Sequence, residues 1–171
     1  MNNALKWGGI MGVALVILNL ALYMAGMINE ETGSSGVLGA VLSYVFSIVP
    51  IVLGIKAYKD AQDGYLTVGD GVKQGMLIGI IGGLIMAVYF FVFYAMIAPE
   101  LLEVMKDHAL SQQSGMDDDQ ADFMSSTMGI FFSPGVMAGM TVLMKFFLGL
   151  FVGLITAAVI QNVRPFDSDT L

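Results

Sequence analysis

Cysteine is absent from the 171 residues, which excludes disulfides and thiolate metal sites and removes the usual clue to redox compartment. Charge is scarce. Only 12% of the residues are Asp, Glu, Lys or Arg and 57% are hydrophobic, whereas a soluble domain is about 25% charged and about 45 to 50% apolar. So little polar surface cannot coat a water-soluble globule, and the mean hydropathy of +0.80 agrees. The single histidine, His108, falls in a polar connection, so no serine, histidine and acid arrangement is credible. No G-K-S/T follows any glycine, which excludes a phosphate-binding loop. No acid lies deep in an apolar run, as a proton-coupled four-helix exporter would be expected to require. These absences argue against an enzyme, a pump, a cofactor and a nucleic-acid partner.

The apolar residues are gathered into runs long enough to cross a hydrocarbon layer, which takes roughly 20 helical residues. The first goes from Ala4 to Ile28. It exceeds the apolar core of a cleaved signal peptide, about 7 to 15 residues, and has no A-x-A-like site at its end, so it is read as a retained spanning helix. The second extends from Val37 to Tyr58 with Pro50 inside. Proline cannot donate to the carbonyl of Phe46, so a kink is expected there, with Ser43 and Ser47 placed to satisfy freed backbone groups. The third starts near Val68, where Thr67 and Asp70 have capping-box spacing, and reaches Ala98. Pro99, Glu100 and Glu103 then signal a new helix. Leu101, Leu102, Met105 and Ala109 occupy one face of it, and Glu103, Lys106, Asp107 and Gln113 the other, which describes an amphipathic helix lying on the membrane or against the bundle. Gly115 breaks it, and a second short helix is expected from Gln120 to Phe131. Ser133 as N-cap and Pro134 at the first position open the last spanning helix, which continues to Asn162; Pro165 prevents extension. The expected fold class is all-α: one membrane domain over residues 1–171, a bundle of four transmembrane helices with an amphipathic helical segment, 99–133, between the third and fourth.

Basic residues set orientation, because Lys and Arg near helix ends are retained in the cytoplasm while acids contribute little. With the N-terminus inside, Lys6, Lys56, Lys59, Lys73 and Arg164 are cytoplasmic and Lys106 alone is on the far side. That side carries Glu30, Glu31, Glu100, Glu103, Asp107, Asp117, Asp118, Asp119 and Asp122. The net charge of -7 is thus mostly an extracytoplasmic property of a multi-pass protein of the cytoplasmic membrane, with both termini inside.

Gly71, Gly75, Gly79 and Gly83 form a stripe along the third helix, and Gly149, Gly153 and Ala157 a similar one on the fourth; Gly8 and Gly12 make a shorter pair on the first. Such spacing lets backbones approach in lipid, where the hydrophobic effect no longer favours helix contact. Packing within one bundle is the simple explanation, and a dimer seam or a groove for lipid the functional one. Lys145 is the only ionisable residue well inside a run. Counting back about 20 residues from Asn162 places it roughly one turn inside the outer boundary, where a lysine stem snorkels to the headgroups. The alternative is a buried cation that contacts an anionic ligand, or Asn19 or Tyr23. Asp117, Asp118, Asp119 and Asp122, with Glu100, Glu103 and His108 nearby, offer hard oxygen ligands. They lack the spacing of a Ca²⁺ loop and read as a solvated helix cap, so no metal site is assigned.

Gly64-Tyr65-Leu66-Thr67-Val68-Gly69 leading into Lys73-Gln74-Gly75, together with Ile97-Ala98-Pro99-Glu100, Phe132-Ser133-Pro134 and the glycine-rich stretch Gly149 to Gln161, resembles a bacterial membrane family catalogued as domain of unknown function 4199. The resemblance covers nearly the whole chain. It implies four spanning helices in a bacterial inner membrane and carries over no catalytic residue.

Two functions fit these features. One is a non-catalytic scaffold, assembly or envelope-associated module whose acidic extracytoplasmic helices meet a membrane-protein partner. The other is a small oligomeric transporter or lipid-handling protein with Lys145, Asn19 and the Pro50 kink along a polar path. The scarcity of polar side chains inside the runs favours the first. The lipid bilayer is a partner in either case, and a homo-oligomer is compatible with both.

Overall fold

A computed structural model describes residues 2–29, 34–111 and 118–163. Those residues form six α-helices: α1 (Asn2–Met24), α2 (Gly36–Asp60), α3 (Val68–Val92), α4 (Glu100–Ser111), α5 (Asp118–Phe131) and α6 (Pro134–Ile160). No strand occurs among the described residues; the one β-type pairing is an isolated bridge between Leu66 and Asn162. Four helices are long and apolar enough to cross a membrane: α1, α2, α6, and α3 with the turn that prolongs it to Ile97. The chain is therefore an all-α, multi-pass membrane protein. Its outward-facing side chains are those of a surface in contact with lipid, with Ile17, Val37, Val88, Ile155 and Val159 all exposed.

The bundle runs up, down, up, down. α3 lies at its centre, packed most extensively against α6 and next against α1, while α2 closes the remaining side by touching α1, α3 and α6. Ile51, Ile55 and Ile78 are fully buried, with Met11 and Leu15 beside them.

Local chemistry fixes the ends. α1 stops at Met24, short of the expected Ile28, because Gly26 adopts φ +65°. Its amide donates to Tyr23 O at 3.0 Å and the Met27 amide to Leu22 O at 3.0 Å, a Schellman stop that glycine permits at no steric cost. α2 continues unbroken through the buried Pro50. At the start of α3, Thr67 Oγ1 accepts from the Asp70 amide at 3.1 Å and donates to Asp70 Oδ2 at 2.6 Å. The carboxylate thus engages the hydroxyl, and not the Thr67 amide that a full capping box would satisfy.

The third helix does not reach Ala98 in α-form. After Val92 it widens into a π turn, Phe93–Ile97, in which the Ala98 amide donates to Phe93 O at 2.9 Å. This places Phe93 in the core with Ala98 and Leu101, and tilts α4 back onto Tyr23 and Ile28. α4 has the expected faces: Leu101 and Leu102 are buried, while Glu103 and Asp107 are exposed. Ser133 precedes α6 as expected, but its hydroxyl donates to Ile130 O at 2.8 Å and makes no cap bond. Pro134 at the first position, with no amide to satisfy, makes the cap dispensable.

The end of the bundle that holds the start of α1 is clamped. Leu66 and Asn162 exchange two backbone hydrogen bonds, at 2.8 and 3.0 Å. Asn162 Nδ2 donates to Gly64 O at 3.1 Å, and Lys59 Nζ to Ile160 O at 2.8 Å. The expected features at Glu30, Glu31, Gly115, Arg164 and Pro165 lie outside the described residues, as does Asp117.

Candidate functional site

The two glycine stripes face each other across the antiparallel α3–α6 seam. A Cβ at Gly71 would strike Ala157; at Gly75 it would strike the Gly149 carbonyl and lie 2.9 Å from Gly153 Cα; at Gly79 it would strike the Lys145 carbonyl. At Gly83 it would lie 3.1 Å from both Lys145 Cβ and Val142 Cα, and at Gly153 3.0 Å from Gly71 O. At Gly71, Gly75 and Gly79 a Cβ could enter only if α6 shifted, and at Gly83 and Gly153 the neighbour would have to give by a few tenths of an ångström, so the stripe is engaged in packing inside the chain. Gly8 and Gly12 do the same for α1, against Ile81 and Ile85 of α3.

This seam positions Lys145. With its backbone pressed against Gly79 and Gly83, the side chain of Lys145 projects from α6 toward α2, and Nζ donates to Ser47 Oγ at 2.7 Å. Ser47, fully buried, donates in turn to Ser43 O at 2.7 Å. This corrects one expectation and bears on a second. Ser47 satisfies the carbonyl of Ser43, not the Phe46 carbonyl that Pro50 leaves without a donor. Lys145 turns its amine toward α2: α6 begins at Pro134, which puts Lys145 about 16 Å along the helix at 1.5 Å per residue, near the middle of α6. Ser47 is likewise near the middle of α2. A cation at the centre of a membrane-spanning helix costs about 2.5 to 3.5 kcal/mol even on insertion scales, so a lysine at this position calls for a reason.

Beside Lys145 a cavity of about 400 Å³ is lined by Ala40, Ser43, Tyr44, Met144, Leu148 and Phe151. Tyr44, Met144 and Phe151 are all more than half exposed, so it is a lateral groove that opens between α2 and α6 toward lipid.

Asn19 does not join Lys145. It accepts a hydrogen bond from Tyr89 Oη at 2.7 Å, within a run of aromatic rings in which Tyr23 meets Phe93 edge-on at 5.1 Å and Phe90 stacks on Tyr94 at 5.4 Å. A third polar contact lies near the clamped end, where Asn3 Nδ2 donates to Gly54 O at 2.8 Å and to Gln74 Oε1 at 3.3 Å. Tyr89 and Gln74 were legible only as polar atoms inside an apolar run. Among the described residues no group of His, Cys, Asp or Glu is gathered to hold a metal.

The sequence matches the model of a family described as "Protein of unknown function (DUF4199)" over residues 6–162. No curated protein and no solved structure matches it.

Proposed function

The chain belongs to that family, and from this starting point we propose that it is a non-catalytic module of the cytoplasmic membrane that acts by association, with both termini inside and α4–α5 on the opposite face. The observation that carries the proposal is the separation of the polar groups within the spans. Asn3 with Gln74, Ser47 with Lys145, and Asn19 with Tyr89 lie at different levels along the bundle, and each pair is joined by its own hydrogen bond. A substrate path or an active site needs such groups to converge on one cavity. The positive charge at the clamped end supports the orientation. α4 offers the outer surface: it buries Leu101 and Leu102 and exposes Glu103 and Asp107. α5 leaves Phe123, Ile130 and Phe131 exposed, suited to the membrane interface.

Photo-crosslinking in intact cells tests this. A crosslinker at Glu103 is expected to give a discrete adduct that one at Val88, exposed on α3 toward lipid, does not give. Equal patterns from the two positions would count against association through α4. A second reading, a lipid-handling protein, has one observation in its favour, the groove beside Lys145. Lysine-dependent lipid transfer between vesicles would support it instead.

A further inference from the structure

Lys145 is a cation near the middle of the spanning helix α6, with a groove in front of it and Ser47 as its one hydrogen-bonding partner among the described residues. An ammonium group has three donors, so Ser47 leaves it with capacity for an anion. We infer that the groove between α2 and α6 receives a transmembrane helix of another protein, one that carries a carboxylate near its midpoint.

Three observations select this occupant. First, the spanning helices supply no counter-charge: their acids are confined to Asp60 and Asp70, in the last and first turns of α2 and α3 at the clamped end. A second copy seated on this face would therefore bring lysine toward lysine. Second, depth argues against a lipid headgroup. The phosphate of a phospholipid lies about 15 Å from the midplane of a ~30 Å hydrocarbon core, while the amine is held inward, toward α2, by the bond to Ser47 Oγ. A carboxylate on a spanning helix reaches that depth without drawing water in. Third, the groove has the form that helix contact in lipid requires: Ala40 and Ser43 make a shallow floor, and Tyr44, Met144 and Phe151 provide flanks. Small residues admit a neighbouring backbone, and a polar contact inside hydrocarbon fixes register.

The inference rests on the association reading above and is tested separately from it. The full-length protein is reconstituted in phosphatidylcholine vesicles with a fluorescent leucine–alanine transmembrane peptide at low peptide-to-lipid ratio. The peptide carries one Glu at its centre, one Gln at its centre, or one Glu near an end. The central-Glu peptide is expected to associate about tenfold more tightly than the central-Gln peptide. The preference should survive Lys145→Arg and vanish in Lys145→Met, and a photo-crosslinker at Tyr44 should capture the peptide where one at Val88 does not. Equal binding of the Glu and Gln peptides to the native protein overturns the inference, and that comparison holds even if Lys145→Met fails to fold. Binding that is strongest for the end-Glu peptide also overturns it. So does Lys145-dependent enrichment of phosphatidylglycerol without any peptide preference, which would put a lipid in the groove. Loss of the peptide preference with adducts retained at Glu103 removes the groove alone. The converse removes the α4 surface alone.

Discussion

Replacing Gly75 with alanine isolates the α3–α6 seam. The added Cβ would run into the Gly149 carbonyl and approach Gly153 Cα to 2.9 Å, where ordinary contact begins at 3.4 Å. The obstacles are backbone atoms of α6, which cannot rotate away, so the helices must part by about half an ångström or more. A radial gap of that size already forfeits about a quarter of each dispersion well along the seam, and overpacking of this kind costs about 1 to 3 kcal/mol. Alanine also gains up to about 1 kcal/mol of helix propensity over glycine, which partly masks the loss. Gly9→Ala is the matched control: it lies in α1, and its Cβ would meet nothing within 4 Å. Because the propensity gain is common to both variants, their difference reports packing alone. Denaturation in mixed micelles followed by far-ultraviolet circular dichroism should place Gly75→Ala about 1 to 3 kcal/mol below Gly9→Ala. Equal stability would refute the close approach of the two backbones.

Other perturbations address the polar contacts and the helix stop. Ser47→Ala removes the partner of Lys145 and should cost about 1 kcal/mol in the same denaturation assay, in the range measured for interhelical hydrogen bonds in membranes; a stabilised variant would mean that the bond is not formed. Tyr89→Phe and Asn19→Leu should each destabilise, and a double-mutant cycle should return a coupling of about 0.6 to 1.7 kcal/mol, whereas zero coupling would deny the contact. Gly26→Ala forces a Cβ into φ +65° and should cost about 1 to 2 kcal/mol; no change in stability would argue against the Schellman stop.

The architecture was legible because membrane thickness sets the length of a spanning run, and the runs at Ala4, Val37, Val68 and Pro134 meet that length. Both glycine stripes were legible as well. That they face one another was not, since spacing within a helix says nothing about which helix lies opposite. Lys145 shows the limit most clearly. Counting inward from Asn162 put it near a boundary, but α6 spans 27 residues from Pro134 to Ile160, longer than the minimum crossing, and the lysine sits near its middle. Its contact with Ser47 joins positions 98 residues apart, and no local pattern encodes that. Asn19 is similar: it was grouped with Lys145 as a polar residue in an apolar helix, yet α1 runs parallel to α3 and presents it to Tyr89. Gly26 was a missed signal, because glycine followed by an apolar residue is a recognised helix stop.

The proposed topology has four spans, both termini on the cytoplasmic side and the α4–α5 segment outside. Reporters that are active on one side of the membrane only, fused after Val163 and inserted at Gly115, test it directly. A cytoplasmic signal after Val163 and an extracytoplasmic signal at Gly115 are expected; a cytoplasmic signal at Gly115 would overturn this topology.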